Sequence, residues 1–175
     1  MSNTKIKLPL DVIFRICFEA RKQGKKIGFT HGAFDLFHLS HLDLLSKSAK
    51  ICDFLVVGIE SDKNVKSYKT YKRPINDEQS RLSIVNELNC VDAAFIIDFP
   101  LKIENYTAIY KELGVDYVTI GYKFEYEDVM EEQTRKAGSR LIKLQTRQYP
   151  NTTSIIDDIL KRYSTDSFKP VPKSR

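Results

Sequence analysis

The sequence feature that most constrains the fold is a continuous apolar run at residues 54 to 59, FLVVGI. A parallel strand that is covered by helices on both faces is apolar along its whole length, because neither face meets water. Shorter apolar runs at residues 27 to 30, 94 to 97, 117 to 120 and 141 to 144 alternate with segments whose apolar residues recur at helical spacing. We therefore predict an α/β fold, an open parallel sheet with helices on both faces. Ligands of such sheets bind beyond the carboxyl ends of the strands.

The stretch after the first predicted strand carries residues that suit anion binding. Thr30, His31 and Gly32 end the strand, and we expect Gly32 to supply the backbone torsions for a sharp turn. His38 and His41 then stand three residues apart, where an apolar helical pattern begins. The free N–H groups at a helix start attract anions, and phosphate above all.

The pair of His38 and His41 admits three interpretations. Two imidazoles one helical turn apart can share a metal ion. The rings can also belong to the core or the surface without any functional role. In the third interpretation they donate hydrogen bonds to the oxygens of a nucleoside triphosphate, and the helix dipole adds to their attraction.

Two later segments are polar and basic at other predicted strand–helix junctions. Residues 61 to 76 carry five basic side chains, and this segment is either a solvated loop or a phosphate-binding one that uses Lys69 and Arg73. Residues 147 to 154, RQYPNTTS, precede and open the last predicted helix. Their hydroxyl groups either cap that helix or, together with Arg147, donate hydrogen bonds to phosphate.

These three segments resemble one known family. Residues 32 to 41, GAFDLFHLSH, are similar to the G-x-F-D-x-x-H-x-G-H signature of the cytidylyltransferase-like nucleotidyltransferases, with Ser40 at the glycine position. Residues 61 to 76 resemble the S-D-x-x-V-K-x-x-K-x-x-x-R-P-x-N segment of the heptose-phosphate adenylyltransferases in that superfamily. Residues 147 to 154 resemble the R-T-x-G-x-S-T-S/T segment of its cytidylyltransferases, although Gln148 and Pro150 depart from that pattern. The resemblance implies a Rossmann-like sheet in the strand order 3-2-1-4-5.

The resemblance also implies an activity and a set of site residues. The chain would move CMP or AMP from CTP or ATP to a phosphorylated polyol, amino alcohol or sugar, with release of pyrophosphate. The implied catalytic residues, which neutralise the triphosphate, are His38, His41, Lys69 and Arg147. The implied nucleotide-binding residues are Thr30, Gly32, Phe34, Asp35, Ser40, Arg73, Gly121, Thr152, Thr153 and Ser154. Arg81 would hold phosphate or brace the basic loop, and Mg²⁺ would bridge the triphosphate oxygens without a metal site of the protein's own.

A function of another class stays open beside the enzyme. Ser40 in place of glycine and the polar tail motivate a non-catalytic nucleotide-binding module with a regulatory role. Release of pyrophosphate from a panel of nucleoside triphosphates and phosphorylated acceptors discriminates the two functions.

Composition limits the compartment and the partners. The 175-residue chain has a net charge of +5, which a nucleotide partner satisfies, and no aromatic-and-basic motif points to nucleic acid. Three cysteines form no C-x-x-C pair, and no apolar stretch predicts a signal peptide or a membrane span. We expect a cytoplasmic protein that binds neither membrane nor nucleic acid, with one domain over residues 1 to 163 and a flexible tail at 164 to 175. A homodimer stays open.

Overall fold

A single parallel sheet of five strands organises the structure, a computed structural model that describes residues 9–121, 127–145 and 149–163. The strand order is β3-β2-β1-β4-β5, and every neighbouring pair is parallel. The strands are β1 (Ile27–Gly32), β2 (Phe54–Glu60), β3 (Ala93–Ile97), β4 (Tyr117–Gly121) and β5 (Arg140–Leu144). The predicted α/β fold and the strand order implied by the resemblance are both confirmed.

Seven helices occur in the described part of the chain, and they cover both faces of the sheet. They are α1 (Leu10–Lys22), α2 (Leu39–Ala49), α3 (Asp62–Tyr68), α4 (Glu78–Asn86), α5 (Ile103–Leu113), α6 (Glu127–Ala137) and α7 (Thr152–Tyr163). One hydrophobic cluster joins β1 to α1 and α5 through Phe29, Cys17 and Tyr110. A second cluster joins β2 to α2 and α4 through Val57, Leu45 and Leu82. Among the described helices, none combines the length and the apolar character that a membrane crossing needs.

Helix α3 lies within residues 61 to 76, where the sequence offered only a polar, basic stretch. Ser61 caps this helix by accepting a hydrogen bond from the Asn64 N–H at 3.2 Å. The Asn64 amide in turn donates to the carbonyl groups of Ile97 and Phe99 at 3.1 and 2.9 Å, and Val65 is fully buried. The segment is therefore a packed helix up to Tyr68, and only the turn that follows it is a basic loop.

Strands β1 and β4 part before they reach their carboxyl ends. Their ladder contains only the pairs Gly28↔Tyr117 and Phe29↔Val118, whereas β1 stays paired with β2 as far as Gly32. Beyond the ladder, the Thr30 hydroxyl donates to the Thr119 carbonyl oxygen at 2.9 Å, so a side chain replaces the missing backbone bond. The strand order reverses at this point, because β2 and β3 follow on one side of β1 and β4 and β5 on the other. Sheets of this kind bind their ligands in the crevice at such a reversal.

We predict that Thr30→Val destabilises the protein by about 1–3 kcal/mol, because the buried Thr119 carbonyl then loses its hydrogen-bond donor. Valine keeps the shape of the side chain, so the loss isolates the hydroxyl. Urea unfolding of both forms measures the difference, and Thr153→Val, at an exposed position, serves as the control. Unchanged stability with weakened nucleotide binding would instead give Thr30 the direct nucleotide contact that the resemblance implies.

Candidate functional site

The site is built on the turn that joins β1 to α2. The left-handed backbone torsions predicted for Gly32 fall instead on Phe34, with φ of 50°, and on Leu36, with φ of 43°. Gly32 is the last residue of β1, so the prediction that it makes the sharp turn is wrong. Non-glycine residues rarely adopt these torsions and do so at a cost of roughly 1–3 kcal/mol each. The turn therefore needs strong support from the surrounding structure.

Asp35, which lies between the two strained residues, supplies that support. Its side chain is only 1% exposed and accepts hydrogen bonds from the Arg73 guanidinium at 2.8 Å and from the Ile75 and Asn76 N–H groups at 3.0 Å. The Leu36 N–H donates to the same carboxylate at 3.0 Å. Burial alone would raise the pKa of Asp35, but the two backbone bonds and Arg73 hold it below its ordinary value. Asp35 is therefore ionised and ties the turn to residues 73–76.

The start of α7 joins the same cluster. Thr152 donates from its hydroxyl to the backbone carbonyl of Asp35 at 2.9 Å, and it is largely buried. Asn151 caps α7 by accepting from the Ser154 N–H at 2.9 Å, and Thr153 and Ser154 are exposed. The structure thus brings Thr152 to the site as a structural contact. It leaves the side chains of Thr153 and Ser154 at the surface beside it.

His38 and His41 stack against each other at the start of α2. Their ring centroids are 3.7 Å apart with 23° between the ring planes, and Phe34 and Phe37 flank the ring of His41. Burial lowers the pKa of His38, and burial together with the neighbouring His38 lowers the pKa of His41 to about 3. Both imidazoles are therefore neutral at pH 7. In both rings Nδ1 is buried and has no hydrogen-bond partner among the described residues.

The backbone at the start of α2 offers hydrogen-bond donors as well. His38 is the residue that precedes the helix, and its side chain makes no capping bond. Helices α3 and α4, by contrast, are capped by the side chains of Ser61 and Asp77. In the first turn of α2, the His41 N–H already donates to the His38 carbonyl at 3.0 Å, so the N–H groups of Leu39 and Ser40 are the ones without a partner within the helix, and they carry partial positive charge. Ser40 lies in this turn and is half-buried.

Arg81 supports the site through hydrogen bonds to other protein groups. This fits the structural role implied for it, and not the phosphate-binding one. Its side chain is fully buried and donates to the carbonyl groups of Ala33, Asn76 and Glu60, as well as to the Asp62 carboxylate. These acceptors belong to the turn after β1, the end of β2 and the starts of α3 and α4. Arg81 is therefore a structural cation that is not available to phosphate.

The remaining predicted residues lie at the same edge of the sheet or outside the described residues. Lys69 is exposed at the end of α3, and its Nζ lies 5.4 Å from the centre of the Tyr68 ring. Gly121 is the last residue of β4 and is half-buried. The prediction for Arg147 concerns a residue outside the described ranges. Within those ranges, no group of three or more His, Cys, Asp or Glu side chains is arranged to hold a metal ion.

Sequence reasoning missed Glu60, His31 and Tyr68, which form a buried polar cluster beside the turn. The Glu60 carboxylate accepts a hydrogen bond from the Tyr68 hydroxyl and lies 3.4 Å from Nδ1 of His31. One signal for this cluster was present in the sequence, because Glu60 directly follows the wholly apolar run of β2. A carboxylate that continues a buried strand has to find polar partners inside the protein.

We predict that Asp35→Asn lowers the free energy of unfolding at pH 7 by about 3 kcal/mol, because it breaks a buried ion pair. The folded-state pKa of Asp35 is depressed, so its stabilising contribution is present above pH ~4 and is lost as the pH falls below that value. The stability gap between the two proteins should therefore shrink on acidification. Urea unfolding between pH 7 and pH 3 measures it, with the exposed Asp128→Asn as control. A gap that stays constant with pH would contradict this role.

Comparisons with known proteins agree with this geometry. The Cytidylyltransferase-like family model matches residues 29–165. Bifunctional protein HldE from Citrifermentans bemidjiense is 34% identical over 165 residues, which are 93% of this chain and 32% of that protein. Its namesake from Geobacter metallireducens is 37% identical over 168 residues, which are 94% of this chain and 33% of that protein. The chain thus spans about a third of the length of these relatives.

Two solved structures have the same fold. The lipopolysaccharide core biosynthesis protein from Thermoplasma volcanium aligns with a TM-score of 0.61 and 27% identity, over 71% of this chain and 100% of that chain. Pantoate-beta-alanine ligase from Francisella tularensis aligns with a TM-score of 0.59 and 18% identity, over 93% of this chain and 80% of that chain, which is a likeness of fold alone. The family model begins within β1 and extends past α7, so it covers most of the sheet and the turn that leads to His38 and His41, and this chain belongs to the cytidylyltransferase-like family of nucleotidyltransferases.

Proposed function

We propose that this chain is a nucleotidyltransferase that moves a nucleoside monophosphate from ATP or CTP to a sugar phosphate and releases pyrophosphate. One observation carries the proposal. At the parting of β1 and β4, the start of α2 has no side-chain cap and carries the stacked rings of His38 and His41, whose Nδ1 atoms are buried. We infer that the remaining donors, the Nε2 atoms and the first N–H groups of the helix, face the ligand. Such a concentration of donors suits the oxygens of a triphosphate.

The neutral state of the two imidazoles fits this task. Two stacked cations would repel each other in a buried position, and burial lowers the pKa of both rings, so they are uncharged at pH 7. As neutral rings they donate hydrogen bonds from Nε2 when Nδ1 carries no proton. Preorganised donors of this kind stabilise charge that develops in a transition state without a cost of reorganisation at that moment.

The proposed chemistry is a single in-line displacement. An oxygen of the acceptor phosphate attacks the α-phosphorus of the nucleotide, and the bond from that phosphorus to the oxygen bridging to the β-phosphate breaks. Pyrophosphate leaves with the electron pair of that bond, and the acceptor becomes a nucleoside diphosphate conjugate. No covalent intermediate with the protein is needed, so catalysis consists of positioning and charge stabilisation, by hydrogen bonds from His38 and His41 and by the positive charges of Lys69 and Arg147.

We propose that Mg²⁺ arrives with the triphosphate and neutralises part of its charge. Asp35, the carboxylate in the turn between β1 and α2, already accepts four hydrogen bonds, so it has little capacity left for a metal ion. The triphosphate oxygens themselves, with water, supply the ligands that Mg²⁺ prefers.

The sugar-phosphate acceptor is proposed on the basis of the relatives. The HldE proteins match nearly the whole chain, and residues 61 to 76 resemble the heptose-phosphate adenylyltransferases in the segment that carries Lys69. The Thermoplasma volcanium protein bears a name from lipopolysaccharide core biosynthesis, which also concerns sugars. The resemblance of residues 61 to 76 to adenylyltransferases favours ATP over CTP as the nucleotide.

A panel of nucleotides and acceptors tests the proposal. ATP and CTP are each incubated with Mg²⁺ and with heptose, other sugar, glycerol and ethanolamine phosphates, and pyrophosphate release is measured together with nucleotide affinity by calorimetry. Release with a sugar phosphate supports the proposal. Tight nucleotide binding without release under any condition would favour the non-catalytic nucleotide-binding module.

We predict that His41→Leu lowers kcat by about a hundredfold or more, because it removes one preorganised donor to the transition state. Leucine fills the space between Phe34 and Phe37, so the melting temperature should change by only a few degrees. Turnover and thermal unfolding are measured on the same preparation. Near-wild-type turnover in the folded variant would remove His41 from the catalytic set.

We predict that Lys69→Met lowers kcat by at least tenfold without a comparable loss of stability, because the exposed Lys69 side chain supplies charge and not packing. Lys72→Met is the matched control, since Lys72 lies three residues further along the same turn and is also exposed. Steady-state kinetics for the three proteins decide the matter. Equal effects at the two positions would mean that the turn acts through its overall charge alone.

A further inference from the structure

Glu60 is a buried carboxylate whose presence the fold alone does not explain. It ends β2, a strand that is otherwise apolar, and it is 7% exposed. Within the described ranges, no lysine or arginine donates to its carboxylate oxygens: Arg81 binds the Glu60 backbone carbonyl, and His31 is the basic side chain beside the carboxylate. Burying a carboxylate costs hydration free energy even where it is paired, so a well-packed apolar residue here would serve folding at least as well. Such positions concentrate at functional sites.

The two partners of the Glu60 carboxylate link it to the end of β1 and to the end of α3. The Tyr68 hydroxyl donates to Oε2, and Nδ1 of His31 lies 3.4 Å from Oε1. Burial would raise the pKa of Glu60, but its contacts with His31 and Tyr68 hold it below the ordinary value, so the carboxylate is ionised. Burial raises the pKa of Tyr68, which keeps its hydroxyl protonated as the donor. Tyr68 is the last residue of α3, and Lys69 follows it directly.

The turn at residues 69–72 is therefore held by two buried carboxylates, one at each end. On its far side, Asp35 binds the Arg73 guanidinium and the N–H groups of Ile75 and Asn76. On its near side, Glu60 holds the Tyr68 hydroxyl. The Lys69 backbone N–H closes α3 on the Val65 carbonyl at 3.0 Å, so its backbone follows the position of that helix end.

We propose that Tyr68 is a positioning residue for Lys69, and that the buried carboxylate of Glu60 is retained to anchor it. The inference rests on the proposed function for its catalytic consequence, because Lys69 acts there on the triphosphate. The anchoring itself is a property of the protein without substrate. Loss of the Tyr68 hydroxyl should release the start of the turn while the ring, the helix and the core stay in place.

The test compares Tyr68→Phe with Tyr110→Phe. Tyr110 is a matched control, because its hydroxyl is also buried, yet it has no hydrogen-bond partner among the described residues. Limited trypsin digestion without ligand measures cleavage after Lys69 and Lys72, and its rate follows the population of the open turn when opening is fast. We expect Tyr68→Phe to raise this rate about tenfold, as the loss of one hydrogen bond to a charged group implies, and Tyr110→Phe to leave it unchanged.

A double-mutant cycle with Lys69→Met provides the catalytic readout. We expect Tyr68→Phe to lower kcat about tenfold in the wild-type background, with KM for the nucleotide within about threefold, and to change kcat by less than twofold in the Lys69→Met background. A residue that acts only on global stability would lower kcat equally in both backgrounds, and that result would overturn the inference. So would equal cleavage rates in wild type and Tyr68→Phe, whether or not the chain transfers nucleotides. Faster cleavage in a chain without transferase activity would support the anchoring and refute the proposed function instead.

Discussion

The buried carboxylate of Asp35 is the interaction on which the rest of the site depends. A charge that is 1% exposed persists only where ion pairs and hydrogen bonds compensate its lost hydration, and Asp35 has four such bonds. Those bonds fix the strained residues Phe34 and Leu36 on either side of it. They also join the turn after β1 to residues 73–76, and the Asp35 carbonyl joins both to α7 through Thr152. Three segments that are far apart in sequence thus meet around one side chain.

The positively charged side chains of the site serve two purposes: some pair with groups of the protein, and others are left to bind an anionic ligand. Arg81 is fully buried and Arg73 is paired with Asp35, so two cations that the sequence placed near phosphate serve to hold the protein together. His38 and His41 are neutral because they are buried against each other. Of the predicted catalytic residues within the described ranges, Lys69 is therefore the one that brings a full charge to an anionic ligand. The remaining attraction comes from dipoles, namely the uncapped turn of α2 and the two imidazole N–H groups.

The sequence predicted those parts of the structure that depend on local pattern. The apolar run of β2 and the alternation of strands and helices indicated the parallel sheet, and the resemblance supplied its strand order. Helix α3 was not predicted, because its buried side consists only of Asn64 and Val65 and its exposed lysines make the segment resemble a solvated loop. The turn was assigned to Gly32 because glycine is the usual residue for such torsions, whereas tertiary bonds to Asp35 impose them on Phe34 and Leu36. The partners of Asp35 lie up to 117 residues away, and no local pattern reveals contacts of that range.

The two buried carboxylates determine where mobility is allowed around the ligand. A lysine is a point charge on a flexible stem, which suits a group that has to follow phosphate oxygens as pyrophosphate separates. If the backbone under Lys69 were also free, ordering it would consume binding energy at each turnover. Glu60 acts through Tyr68 before the turn and Asp35 acts through Arg73 after it, so the backbone is restrained at both ends. The freedom that remains belongs to the side chain of Lys69, whose Nζ lies over the Tyr68 ring and forms no ion pair with the residues that the structure describes. Burying the carboxylates of Glu60 and Asp35 costs hydration free energy, and in return the Lys69 side chain can move while its backbone stays fixed.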